Sequence, residues 1–555
     1  MKKLLYLLLI VSACSAPEQQ QVNTEVQGWE AQAARVEIIR DDFGVPHIYG
    51  KSDADAVFGM LYAQCEDDFP RVERNYYWAI GRLAEVEGEE ALYSDLRARL
   101  YMTIDEAKSH YENAPDWLKK LCQAYADGIN YYLHTHPEVK PKVLTRFEPW
   151  FPMFFFEGSI GGDIESVRTN RIKEFYGENQ SMTMADLLPQ KDVLEEPKGS
   201  NGFAIAGQHT ASGDAMLLIN PHTSFYFRGE SQVVSEEGLN AYGATTWGQF
   251  FIYQGFSEKN GWMHTSTRVD FMDDFLETVE ERDGKLQYKY GDEWRDVWTS
   301  EVTLKYKEGD QLKERTFPMY RTHHGPITGK VDDRLVATKL NWEPVDALIQ
   351  SFTRTKTNNH EEFWEMMKIR RNSSNNTVYA DKDGTVAYYH GDFIPRRDPQ
   401  FDYSKPVDGS DPATDWQGMH ELDEIITIVN PENGWIQNCN STPFTAAAEY
   451  SPKQKDYPYY MAPDEENFRG INAVRVLGEM KDLTLDGLIE LAHDPYLPAF
   501  EKVIPGLVTA YELVGPKDPE LGGAIDVLRA WDMTSGKEFV GLTLAHFYGM
   551  ELMAN

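Results

Sequence analysis

Ser200 follows Gly199 in the stretch Lys198-Gly-Ser-Asn-Gly-Phe-Ala-Ile-Ala-Gly207. Phe203 and Ile205 alternate with small residues, the period-2 pattern of a half-buried strand beginning at Ser200. His209 to Asp214 reads as a turn, and Ala215 to Ile219 as the returning strand. A serine released at a strand start would carry a hydroxyl nucleophile and an α-amino base on one residue, which is the equipment of acyl transfer. A free α-amine ordinarily titrates at about 7.7–8.0, so a useful fraction is neutral near pH 7 and can take the hydroxyl proton. An internal serine has no such amine, and the uncleaved chain is expected to be inactive. Gly199 fits self-cleavage, because Ser200 Oγ must reach the Gly199 carbonyl and a residue without Cβ tolerates strained geometry there. His222 falls at the far end of the hairpin, where a returning strand ends beside the start of its partner. It is read as an active-site group, with a structural histidine before Thr223 as the alternative.

The residues from Gly199 to Gly213, followed by Asn220-Pro-His222, resemble the start of the catalytic chain of the penicillin amidase family. Arg40-Asp-Asp-Phe-Gly-Val-Pro-His-Ile-Tyr49 resembles the opening block of that family's smaller chain. Tyr62-Ala-Gln-Cys-Glu-Asp67, Gly81-Arg-Leu-Ala-Glu85, Arg321-Thr-His-His-Gly-Pro326, Asn376-Thr-Val-Tyr-Ala-Asp381 with Gly384, and Asn438-Cys-Asn-Ser-Thr-Pro443 follow in the family's order. The resemblance runs from about Val36 to the last residue.

This resemblance implies an autoprocessed amidohydrolase of the N-terminal nucleophile class. Ser200 would be the nucleophile. Ser266, at the end of Trp262-Met-His-Thr-Ser266, maps to the backbone N–H that is one oxyanion donor, and the Asn376 side-chain amide to the other. Arg397 matches an arginine that orients this asparagine and the nucleophile's surroundings, whereas Arg396 reads as a surface residue. His222 and the Trp-x-His-Thr segment are closer to acyl-homoserine-lactone acylases than to penicillin G acylases. The substrate class implied is therefore a small N-acyl compound, acyl-homoserine lactones first, with a β-lactam side-chain acylase as the alternative. An inactive, unprocessed scaffold or binding relative is the reading from another class. No Gly-x-Ser-x-Gly elbow surrounds Ser200, which ranks a conventional Ser-His-Asp hydrolase low. No cofactor is required. Asp270, Asp273 and Asp274 are hard oxygen ligands where some relatives hold a structural calcium, with Glu165 or Asp163 from the smaller chain as a further ligand.

A net charge of −35 argues against nucleic acid as a partner, since phosphates would be repelled. The apolar fraction of 41% and aromatic fraction of 13% suffice for a large core. Met1 to Cys14 combines a basic start, a short apolar run and small residues before a cysteine, which reads as a signal peptide. Val-Ser-Ala-Cys14 resembles a bacterial lipobox, implying cleavage before Cys14, lipidation on it, and export to the periplasm with a membrane anchor. Residues 14–35, polar and Gln-rich at the start, read as a flexible tether. Cys65, Cys122 and Cys439 form no metal pattern or disulfide framework and read as buried small apolar residues.

The elements that must position the chemistry follow from the pattern. Ser52-Asp-Ala-Asp55 caps a helix running to near Phe69, where Pro70 breaks or restarts it. Trp117, Leu118, Leu121, Tyr125, Ile129 and Leu133 are spaced as a second long helix ending at His134-Thr-His136-Pro137. Strands dominate from Ser200 to Tyr320, and helical patterns return at Asn359 to Ile369, after Thr484 and after Glu520. The pattern reads as α+β, and the resemblance implies a four-layer α-β-β-α sandwich. Residues 36–178 would be a largely helical smaller chain, 179–199 an excised spacer, and 200–555 the larger catalytic chain. The two would stay together as a heterodimer. The chain ends at Asn555, just after Trp531-Asp532, and reads as lacking the family's long C-terminal region. Acyl specificity falls to aromatic segments that are read equally as pocket wall or core: Phe154, Phe155, Phe156, Phe225, Trp247 and Phe256.

Overall fold

The hairpin at Ser200 forms as its alternation predicts. Its strands span Gly199–Ile205 and Met216–His222, paired antiparallel with Ser200 opposite Pro221 and Gly199 opposite His222. The computed structural model describes residues 16–155, 164–177, 199–224, 226–371, 375–514 and 518–554. Cys14 and its leader, Asp163, Phe156, Phe225 and the spacer up to Lys198 lie outside the described residues.

In chain order the strands are β1 (Val36–Arg40), β2 (Pro46–Gly50), β3 (Gly199–Ile205), β4 (Met216–His222), β5 (Arg228–Ser235), β6 (Asn240–Thr246) and β7 (Gln254–Ser257). β8 (Asn260–Ser266), β9 (Asp273–Arg282), β10 (Lys285–Tyr290), β11 (Glu293–Asp296), β12 (Trp298–Glu308), β13 (Gln311–Thr322) and β14 (Gly325–Val331) follow. The last are β15 (Arg334–Lys339), β16 (Asn375–Asp381), β17 (Val386–Tyr389), β18 (Val407–Asp408), β19 (Thr427–Val429) and β20 (Trp435–Asn438). Among the described residues they make a nine-stranded sheet in the order β1-β2-β5-β6-β7-β8-β16-β17-β19. An eight-stranded sheet runs β11-β10-β9-β15-β14-β13-β12 with β18 beside β9, and a three-stranded sheet runs β20-β3-β4.

Period-2 alternation gives the central strands two distinct faces. Trp262, Tyr379, Ala387 and Tyr389 enter the large core shared with the helices Asp53–Ala79 and Asp116–Thr135. Their neighbours Met263, Val378, Val386 and Tyr388 pack instead with Ala204 of β3 and Ile436 of β20. On the other side of the small sheet, Phe203, Ile205 and Trp435 pack with Ala473 and Leu477 of the helix Phe468–Glu479. The small sheet thus has an inner face toward β8 and β16 and an outer face toward that helix. Mixed helices and sheets make the chain α+β.

Ser52 caps the helix Asp53–Ala79 as expected, its hydroxyl accepting from Asp55 N–H. As read, the helix breaks and restarts at Pro70, the second segment capped by Asp68 Oδ1 accepting from Arg71 N–H at 3.1 Å. The disturbance is taken up at Asp68, whose φ of −156° marks a kink just before the proline. The second helix spans Asp116–Thr135 and stops at the His-x-His segment as read. The expected tether is corrected: Ala16–Ala33 is a helix. Trp29 anchors it, buried and donating from Nε1 to Asp127 Oδ1 at 2.9 Å, and Glu25 pairs with Arg146. A single tryptophan in a Gln-rich stretch outweighs the composition around it. The three described cysteines are free and buried. The helices from Phe500 to Ala554 gather round a small separate core of Ile504, Leu528, Trp531 and Ala545, while Leu488 of the helix Leu485–Ala492 joins Phe203 and Trp435. No helix among the described residues is long and apolar enough to cross a membrane.

Candidate active site

Ser200 is buried on the inner face of β3, sharing its parity with Gly202 and Ala204. A Cβ on Gly202 would press on Met263 and Val378, which fixes the direction that face points. Ser200 Oγ donates to the carbonyl oxygen of Gly199 at 2.7 Å, placing the hydroxyl on the bond it is expected to cut. Gly199 lets two side-chain ends close on the strand. A Cβ there would lie 2.7 Å from both Arg469 Nη2 and Asn440 Oδ1, while its φ lies outside the left-handed region. The expected reason, backbone strain, gives way to close approach.

Asn440 joins the expected residues. Its Oδ1 accepts from Ser200 N–H (2.5 Å) and Arg469 Nη2 (2.9 Å), and its Nδ2 donates to the carbonyl of Ser266 (2.8 Å) at the end of β8. Its own backbone is left-handed, with φ of 57°, a conformation asparagine tolerates better than most residues. Asn376 lies directly across from Thr265 on the neighbouring strand, fully buried. Its Nδ2 donates to Thr265 Oγ1 (3.2 Å) and Asn438 Oδ1 (3.3 Å), and its Oδ1 accepts from Gly391 N–H (3.2 Å). Asn438 Oδ1 also accepts from Thr265 Oγ1 (2.5 Å) and Asn440 N–H (3.0 Å). Ser200, Ser266 and Asn376 are therefore linked through Asn440, Asn438 and Thr265 by neutral donors and acceptors.

His222 lies beside the Gly199–Ser200 backbone, as hairpin geometry requires, but strand parity turns its ring to the outer face with Asn201 and Asn220. Its Nε2 contacts Asn220 Oδ1 at 2.9 Å and Asn201 Nδ2 at 3.5 Å. Burial, with the nearby Arg469 charge, holds its pKa below the ordinary histidine value, so the ring is neutral near pH 7. Position along a hairpin gives proximity; it leaves open which face each side chain occupies.

Arg397 is fully buried, and its partners are carboxylates and tyrosines rather than members of this array. Its Nε donates to Asp273 Oδ2 at 2.7 Å, its Nη2 lies 3.2 Å from Asp270 Oδ1, and it stacks over Tyr460 and Tyr403. Burial pushes the Asp270 carboxyl up to about 7, against the pull of Arg397. Asp274 is engaged by Arg171 through both carboxylate oxygens at 2.8 Å. Glu165 is exposed in the short turn Ile164–Ser166. Asp270, Asp273 and Asp274 thus each face an arginine, with Asp273 Oδ1 buried and without a hydrogen-bond partner.

Two residues at Ser200 go beyond the sequence expectations. Asn440 sits in the Asn438-to-Pro443 block, so a signal existed without a role attached. Arg469 had none. It reaches back from a helix far along the chain to donate to Ser200 O (3.0 Å) and Asn201 Oδ1 (2.8 Å). Phe154 and Phe155 belong to the core, while Phe256 is exposed against Tyr242.

The chain is 25% identical to penicillin G acylase of Escherichia coli, over 77% of this chain and 60% of that protein. It is 24% identical to the acyl-homoserine lactone acylase QuiP of Pseudomonas fluorescens, over 78% of this chain and 60% of the relative. It is 26% identical to the acyl-homoserine lactone acylase PvdQ of Pseudomonas savastanoi, over 66% and 52%. The fold resembles the thermostable penicillin G acylase of Alcaligenes faecalis with a TM-score of 0.50 at 20% identity, covering 61% of this chain and 60% of that one. The chain spans about three-fifths of the length of these first relatives. The penicillin amidase family model matches residues 35–555, nearly all of the chain, and the protein belongs to that family.

Proposed function

We propose that this chain is the precursor of an N-terminal nucleophile acylase that hydrolyses the amide bond of small N-acyl compounds, acyl-homoserine lactones first. The observation that carries the reading is Ser200 Oγ lying 2.7 Å from the Gly199 carbonyl oxygen at a strand start, with Asn440 on its amide and the Asn376 array behind. In processing, Oγ attacks the Gly199 carbonyl carbon, the C–N bond to Ser200 breaks, and the nitrogen takes the hydroxyl proton. Water then hydrolyses the resulting ester, freeing the Gly199 carboxylate and the Ser200 hydroxyl.

The released α-amine is held by Asn440 Oδ1. Arg469 donates to the same Asn440 oxygen and so fixes it in place against the amine. In catalysis the amine takes the proton of Oγ as Oγ attacks the substrate carbonyl, and the Ser266 N–H and Asn376 amide stabilise the oxyanion. The Asn376 amide must first leave Thr265 or Asn438, and its bonds there, longer than 3 Å, make that exchange cheap. His222 stands outside this proton path and borders the outer face. The same reading includes a four-layer sandwich, a two-chain heterodimer, export, and a lipid anchor on Cys14.

Intact mass after incubation tests processing: two chains, the larger beginning at Ser200, support the reading, and a stable single chain favours the scaffold. A panel of acyl-homoserine lactones and penicillins, assayed on the processed protein, tests the substrate class. The β-lactam alternative is favoured by the resemblance to penicillin G acylases.

A further inference from the structure

Away from Ser200, the two-residue turn between β13 and β14 is His323-His324, closed by the pair Thr322–Gly325. His324 is fully buried, its ring stacked on Phe275 at 4.0 Å. Its Nδ1 lies 2.8 Å from Glu277 Oε1 of β9, and its Nε2 2.7 Å from Asp415 Oδ1. His323 is arranged the same way. Its Nδ1 lies 3.0 Å from the Tyr288 hydroxyl of β10, and its Nε2 faces the same Asp415 oxygen at 3.6 Å. That His323 Nε2 is shielded from solvent and has no hydrogen-bond partner. Asp415 is steadied on its other oxygen by the Tyr290 hydroxyl at 2.5 Å.

Each imidazole thus has Nδ1 fixed by an outer partner and Nε2 turned toward one carboxylate, and the three ligand groups lie within 4.8 Å of one another. This is the arrangement in which metal-binding histidines are oriented by their second nitrogen. We propose that His323, His324 and Asp415 form a binding site for a divalent first-row transition metal of the zinc type, with Glu277 and Tyr288 as the groups that orient the histidines. Two imidazoles and one carboxylate select such metals over calcium or magnesium, which prefer oxygen alone. With metal–ligand bonds of about 2.0–2.2 Å, two ligands of a tetrahedral ion stand about 3.3 Å apart. The His323–Asp415 spacing of 3.6 Å needs to close by about 0.3 Å. The His324 spacing needs to open by about 0.6 Å, once the metal replaces the proton between them. A cleft of about 620 Å³ lined by Trp298, Arg321 and His323 opens beside the turn. The ion would tie β9, the β13–β14 turn and the Asp415 segment together.

The test is equilibrium dialysis of the metal-stripped full chain against Zn²⁺, with Co²⁺ as a spectroscopic probe. The expected result is one ion per chain, a Co²⁺ visible spectrum of low-symmetry nitrogen and oxygen ligation, and loss of both in His323→Ala and in Asp415→Asn. Glu277→Gln should weaken binding by about 10–100-fold. Circular dichroism identifies folded variants. Absence of stoichiometric binding by the unsubstituted chain overturns the proposal, as does binding that survives both ligand substitutions.

Discussion

Two buried polar regions of this molecule solve the cost of burial in opposite ways. On the inner side of Ser200 the groups are neutral, Asn440, Asn438, Thr265 and Asn376 satisfying one another by amide and hydroxyl bonds, and the one charge, Arg469, touches the array only at its outer edge, on Asn440 Oδ1. Around Arg397 they are charged, with Asp273 and Asp270 closing on one guanidinium. A neutral array can exchange partners at about the cost of one hydrogen bond, so it can turn a donor toward a charge that develops during reaction. An ion knot cannot, because removing any member strands a buried charge. The first is built to respond and the second to hold.

The largest effect should come from the responsive region. Ser200→Ala is expected to leave one uncleaved chain with no acylase turnover, while Ser200→Cys retains some cleavage with altered turnover, both read by intact mass and amide hydrolysis. Normal maturation of Ser200→Ala at this bond would move the nucleophile elsewhere.

The holding region comes next. Arg397→Ala should lower stability by about 3–5 kcal/mol in urea unfolding, because it leaves Asp273 buried and unpaired. A change under about 1 kcal/mol would mean that the pair is hydrated and the contrast overstated.

Asn376→Ala should then reduce kcat by about 10²–10³ in the processed enzyme while cleavage and the unfolding midpoint change little. A loss confined to stability would make Asn376 a member of the scaffold.

The smallest effect is a pH dependence. The folded Asp270 carboxyl is pushed up to about 7 by burial, against Arg397, while an unfolded aspartate titrates near about 3.9. The folded state therefore holds the proton longer. Its contribution to stability is complete below about pH 4 and is lost as pH rises to about 7. Asp270→Asn should flatten that fall in melting temperature across the same window. An unchanged slope would assign it to other groups.

Much of this was legible in the sequence because it is local. The alternation after Ser200 specified the hairpin, the Ser52 cap and the spacing from Trp117 specified helices, and ordered blocks marked the family. What was not legible depends on parity and on distant segments. His222 was close in hairpin count, but a one-residue shift moves a side chain to the other face. Arg469 meets Ser200 across 269 positions, which no periodicity encodes. The aspartates near 270 were readable as oxygen ligands; that arginines would claim them depended on Arg397 and Arg171 arriving from far along the chain. Trp29 was visible, yet its partner Asp127 lies on another helix.

β2 lies before the expected cut and β5 after it, and the two pair side by side in parallel, His47 to Gly50 against Gln232 to Ser235. Scission at Gly199–Ser200 would therefore divide the covalent chain without dividing the sheet. The surface between the two products would be an ordinary protein interior, with Phe58 and Val57 on one side and Val233 and Ala241 on the other. Such partners have no reason to exchange with free copies, and pulling them apart would amount to denaturing both. Maturation here would behave as an irreversible edit of connectivity, visible on a denaturing gel and silent in the size of the native particle.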